Sequence, residues 1–95
     1  MKTKGIQESK ERCAESGWDA YDIILSEPLT KENILKFRPL GAFSYLPMLK
    51  KPFFKVESNY YFIKGMEGDP FFRLAVHREY SEKIEEIVTF VNHIG

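Results

Sequence analysis

The chain has 95 residues, 43% of them hydrophobic and 15% aromatic, and its 14 Lys and Arg balance 14 Asp and Glu. That length supports one hydrophobic core and excludes a catalytic domain standing beside a separate binding domain. Zero formal charge excludes a strongly basic nucleic-acid domain as the default, and the abundance of Phe, Tyr, Ile and Leu excludes the composition of a disordered chain.

No stretch approaches the roughly 18 consecutive apolar residues that a membrane-spanning helix needs. The start, Met1 to Glu8, is basic at first, but no apolar segment follows, so a secretory signal is not expected. A single cysteine, Cys13, cannot form an internal disulfide, and the expected location is the reducing cytoplasm. Lys10 and Arg12 near Cys13 are opposed by Glu11 and Glu15, so it reads as a half-buried helix cysteine rather than a reactive thiolate.

Residues 1 to 17 are polar without an apolar stripe, and the expectation there is a short, frayed or weakly docked helix ending before Gly17. Trp18 to Leu25 fits a helix through Trp18, Tyr21 and Leu25 or a strand through Tyr21, Ile23 and Leu25; so short a run leaves both open. Thr30 is a good N-cap for a helix over Lys31 to Phe37, with Glu32 in the first turn where the helix dipole favours an acid. Arg38-Pro39 ends it, because the residue before proline avoids helical backbone.

From Gly41 onward, aromatic and β-branched residues alternate with turn formers. Phe43 to Leu46 reads as a strand that Pro47 confines to a sheet edge. Phe53 to Glu57 and Tyr60 to Lys64 flank Ser58-Asn59, a spacing that fits a tight hairpin and in which Asn59 can take a positive φ. A second reversal over Gly65 to Pro70 leads into Phe71 to Val76. Ser81 is the expected cap of a last helix, in which Ile84, Ile87, Val88, Val91 and Ile94 make an apolar stripe. The expected fold is therefore a single α+β domain over residues 1–95: a three- to four-stranded antiparallel meander, a C-terminal helix packed on one face, and short N-terminal helices.

Alternation along the strands sorts their side chains into two sets. Phe54, Val56, Tyr61, Ile63, Phe72, Leu74 and Val76 form an apolar set that belongs under the last helix. The other set, Phe53, Lys55, Glu57, Tyr60, Phe62, Lys64, Phe71, Arg73, Ala75 and His77, mixes rings with cations. Either the helix over 31–37 and the Trp18 segment cover it, with Lys and Arg stems lying over rings, or it is a contact surface.

The favoured function is a non-catalytic protein-interaction or regulatory module that uses this face, with self-association as a homodimer among the outcomes. Its partner-binding candidates are Phe53, Lys55, Phe62, Lys64, Phe71, Arg73 and His77. Single-stranded nucleic acid or another anionic ligand is the alternative, since bases stack on rings while cations track phosphates. Residues 31–64 carry seven basic groups against two acids, while residues 1–30 and 65–95 are both net acidic. Tyr61 to Met66 resembles the shorter strand motif of RNA-recognition domains, but the companion motif is missing and no helix is expected after this strand. For an enzyme the inventory is thin: His77 and His93 are the only histidines, and no His, Cys and carboxylate cluster has metal-ligand spacing, so no cofactor and no metal are expected. Met48 to Phe54 sets basic heads beside apolar anchors, but one such cluster gives only marginal attachment to a membrane surface.

Overall fold

The computed structural model describes residues 1–8, 17–48 and 50–94. Cys13 and residues 9–16 of the expected N-terminal helix lie outside these residues. Six strands form one antiparallel sheet in the order β1-β2-β6-β5-β4-β3: β1 is Thr3–Glu8, β2 Trp18–Leu25, β3 Ala42–Leu46, β4 Phe53–Glu57, β5 Tyr61–Met66 and β6 Phe71–His77. Helix α1, Lys31–Leu35, joins β2 to β3, and helix α2, Lys83–His93, closes the described chain.

The expected meander forms the centre of this sheet, β4-β5-β6, but the strand count is six rather than three or four. Two elements account for much of the difference. The polar start of the chain is a strand rather than a helix over Thr3–Glu8. It lacks a visible stripe because it is an exposed edge, held by backbone pairing to β2 and at its start, where the Met1 ammonium donates to the Ile94 carbonyl at 2.7 Å and the Thr3 N–H to Asn92 Oδ1 at 3.0 Å. Trp18–Leu25 is a strand because it sits between two others, with Ile23 opposite Phe72 and Tyr21 opposite Leu74. A fourth strand in the central run, β3, lies at the other edge and ends immediately before Pro47, which has no N–H to give to a ladder.

Smaller differences have local causes. The β4–β5 register pairs Glu57 with Phe62, and the Ser58 N–H donates to the Tyr61 carbonyl at 3.0 Å, so the turn centres on Asn59-Tyr60 instead of Ser58-Asn59. No non-glycine residue among those described has positive φ, Asn59 included. Because the pairing moved by an even number of residues, every side chain that stays in the two strands kept its face, while Tyr60 passes into the turn. The β5 strand runs on through Gly65 and Met66, which delays the second reversal. Helix α2 starts at Lys83 with Glu82 at the N-cap and no side-chain cap bond, while Ser81 closes a 3-10 turn over Arg78–Tyr80. Thr30 does cap α1, its hydroxyl accepting from the Asn33 N–H at 3.2 Å.

Both helices pack on the same face of the sheet. Ile34 of α1, Phe37 just beyond it, and Ile87 and Val91 of α2 join Ile23, Phe54, Val56, Ile63, Phe72 and Leu74 in one buried cluster. The Phe37 ring sits 5.0 Å from Phe54 and 5.2 Å from Phe72, centroid to centroid. This layer also explains a short crossing segment: the Tyr61 hydroxyl donates to the Leu40 carbonyl, fixing a 3-10 turn over Arg38–Leu40 onto the sheet.

Burial pushes the Tyr61 phenol above the ordinary tyrosine range. The folded chain therefore holds that proton after the unfolded chain has released its own, so stability is expected to fall as pH rises past about 10. Tyr61→Phe should reduce that slope while lowering stability near neutrality by about 0.5–1.5 kcal/mol, through loss of the hydrogen bond to Leu40. Denaturant melts at neutral and alkaline pH read both effects, and an unchanged alkaline slope in the variant would place the titration elsewhere.

Candidate functional site: the open sheet face

The helices leave the second face of the sheet without a helical layer among the described residues, contrary to the reading in which the 31–37 helix covers it. The i, i+3 spacing puts Ile34 and Phe37 on one side of the α1 segment, and both pack on the apolar face, where three phenylalanines meet, so α1 is committed there. Trp18 does belong to the open face, but as part of its surface rather than as a cover, directly opposite His77.

Register across the strands arranges this face in rows. The cationic row is continuous over the centre: Arg73 is opposite Lys64, and Lys64 is opposite Lys55. Like charges directly opposite one another are destabilising. Asp22 closes the row at β2, 3.1 Å from Arg73, and Glu57, two residues beyond Lys55 on the same strand, lies 3.1 Å from the Lys55 ammonium. One step along the strands lies an apolar row. Ile24 is opposite Phe71, Met66 is opposite Phe53, and Phe53 is opposite Leu46. Met66 and Leu46 are each 38% exposed, and Met48 beyond β3 is 76% exposed. The two rows meet at a depression of about 220 Å³ whose walls include Phe53, Met66, Phe71, Lys64 and Arg73. Asp69 closes one end of it and is held by Lys51 at 2.8 Å.

On the other side of the cations, Phe62 lies between Ala75 and Glu57. His77 stands apart from this centre at the far end of β6. Its ring meets Trp18 edge-on at 5.5 Å and Tyr80 at 5.9 Å, and its Nδ1 accepts the Glu79 N–H at 3.2 Å. The imidazole thus caps the 3-10 turn, and an aromatic string continues through Tyr80 to Tyr60, with the Lys83 ammonium 5.2 Å over the Tyr60 ring. Glu86, 3.1 Å away, holds that ammonium charged above the usual lysine range.

All seven sequence candidates therefore share the open face, but they divide. Phe53 and Phe71 belong to the apolar row, Lys55, Lys64 and Arg73 to the cationic row, and Phe62 borders it, whereas His77 belongs to the aromatic string. Sequence reasoning missed Ile24, Asp22, Met66 and Leu46. The signal was present: alternation from Tyr21 and Ile23 puts Asp22 and Ile24 on this face, and extending Phe62 and Lys64 by two residues reaches Met66.

No group of three or more His, Cys, Asp or Glu among the described residues is placed to hold a metal ion. No described helix is long and apolar enough to cross a membrane. A wider hollow of about 580 Å³ on the helical side runs past Glu82, Glu85, Glu86 and Phe90, and is acidic where the open face is cationic. The geometry defines a two-layer α+β protein with a single-faced sheet. No family model, no curated protein and no solved structure matches this chain.

Proposed function

We propose that this protein is a non-catalytic interaction module that binds another polypeptide through the open face of its sheet. One observation carries this reading: the helices among the described residues are spent on one face, and the other presents Phe53, Met66, Phe71 and Leu46 as an apolar row next to Arg73, Lys64 and Lys55. A contiguous apolar strip edged by charge marks a contact surface rather than ordinary surface scatter. A catalytic role gains no support, since His77 is engaged through Nδ1 in capping a turn and packs against Trp18 and Tyr80. Single-stranded nucleic acid is the second reading, favoured by the three cations in register, though Asp22 and Glu57 stand where phosphates would track. The single cysteine supports a reducing compartment such as the cytoplasm.

Selection from a displayed random-peptide library tests the reading. Selected ligands should lose at least about tenfold in affinity on Phe71→Asp, a change of about 1.4 kcal/mol, and bind Glu85→Lys on α2 unchanged. Ligands indifferent to Phe71→Asp, or no ligands at all, would overturn it.

A further inference from the structure

We infer that the chain self-associates through the β3 edge of its sheet, two copies pairing β3 against β3 in antiparallel register about Ser44. The contact lies on an edge rather than a face of the sheet, so it is independent of what the open face binds. A strand at the end of a sheet leaves one row of backbone groups without a partner strand, and β1 and β3 are the two ends. β1 carries devices that blunt such an edge: Lys4 and Glu8 within the strand, and a break in register between Thr3 and Gly5. β3 carries neither. Its five residues, Ala42 to Leu46, pair with β4 in unbroken register, and no charged residue occurs from Pro39 to Leu49.

Hydrogen-bond parity identifies the groups on that edge. The Ser58 N–H donates to the Tyr61 carbonyl at the β4–β5 turn, and the Glu67 N–H donates to the Pro52 carbonyl at the other end of the hairpin. Bonded pairs alternate along an antiparallel ladder, so Phe54 and Val56 direct their backbone groups to β5. Phe53, Lys55 and Glu57 therefore turn theirs to β3, where they meet Leu46, Ser44 and Ala42. That leaves the N–H and C=O of Phe43 and Tyr45 on the outer side, where no described strand lies. A two-fold axis through Ser44 sets Phe43 opposite Tyr45 of the second copy, and Tyr45 opposite its Phe43, so these outward groups bond one another. The two rings, half-buried at the margin of the core, become cross-strand aromatic pairs that cover each other's open flank. On the open face Ser44 meets Ser44 at the axis and Leu46 lies opposite Ala42, so no like charges are brought together. This self-complementarity, which uses the whole strand, favours a second copy over an unrelated extended segment. The association also closes: both edges of the joined sheet are then β1, with its charges and irregular register, and growth stops at two copies.

The test is sedimentation of the intact chain over about 1 μM to 1 mM, because a five-residue strand edge is smaller than a standard interface. A monomer–dimer equilibrium should appear, and amide exchange at Phe43 and Tyr45 should slow as the dimer fills while Ser44, bonded to β4, is protected throughout. Ser44→Glu places opposite charge beside Lys55 in its own sheet but like charges across the axis, so it should raise the dimer dissociation constant at least about tenfold. Ser44→Lys should do the same alone, and an equimolar mixture of the two variants should recover the dimer. Ile6→Lys on β1 and Phe71→Asp on the open face should leave it unchanged. A monomer over the whole range, a dimer indifferent to Ser44→Glu, or exchange at Phe43 and Tyr45 that ignores concentration would overturn the inference. Dissociation by Phe71→Asp in place of Ser44→Glu would move the contact to the open face, and assemblies beyond two copies that Ile6→Lys disperses would move it to β1; either result overturns it as well.

Discussion

Phe37→Ala is expected to lower the unfolding free energy by about 3–5 kcal/mol, read from the denaturant midpoint at unchanged slope. The side chain has no exposed surface, and its ring lies between Phe54 and Phe72 on neighbouring parts of the sheet. Its loss removes buried apolar area and leaves a cavity that rings held by the sheet backbone cannot close. A domain of this size has only about 5–15 kcal/mol in total, so the variant stands close to the limit of folding at physiological temperature. The comparison that gives the measurement meaning is Leu35→Ala, two residues earlier and exposed, which should change stability by no more than about 0.5 kcal/mol. Equal losses at the two positions would mean that α1 does not direct Phe37 into the apolar face, and the open face would lose its basis.

The second large effect comes from Gly65, a strand residue where a side chain has no room. A Cβ there would lie 2.8 Å from the Phe54 ring and 3.2 Å from Phe72 Cβ. Phe54 cannot withdraw freely, because Phe37 and Phe43 back it at 5.0 and 6.4 Å between centroids. Gly65→Ala should therefore cost about 1–3 kcal/mol through overpacking, against the usual benefit of replacing glycine in a strand. The double variant with Phe37→Ala separates this account from a backbone effect. Space opened by removing the Phe37 ring lets Phe54 move, so the combined loss should fall short of the sum of the single losses by at least about 0.5 kcal/mol. Strict additivity would show that Gly65 is required for some reason other than the Phe54 ring.

Much of the site was legible in the chain because alternation is a local property. Phe53, Lys55, Phe62, Lys64, Phe71, Arg73 and His77 each follow from strand parity, and an even shift of the β4–β5 turn could not disturb it. What local pattern could not reveal was adjacency between strands distant in sequence. Asp22 and Arg73 are a 3.1 Å ion pair across a separation of 51 residues, and nothing near either residue announces the other. The basic middle of the chain also reads differently once folded. Lys31, Lys36 and Arg38 travel with the α1 segment, whereas Lys55 and Lys64 are joined by Arg73 from the acidic third of the sequence. The cationic row is therefore a product of pairing rather than of composition.

Sequence alone determined an α+β fold with an antiparallel sheet, an apolar set of strand residues under a C-terminal amphipathic helix, and a second set of mixed rings and cations. Those features depend on spacing within single elements, where the period of a strand or helix decides which side chains share a face. Only the tertiary structure decided that the sheet has six strands, that both helices occupy the same face, and that the mixed set forms parallel apolar and cationic rows. Edge strand β1 illustrates the reason. It is polar along almost its whole length, and its place comes from backbone hydrogen bonds to β2 and from the bond that Met1 donates to the Ile94 carbonyl. Backbone pairing carries no side-chain signature, so the sequence was silent where the sheet was not.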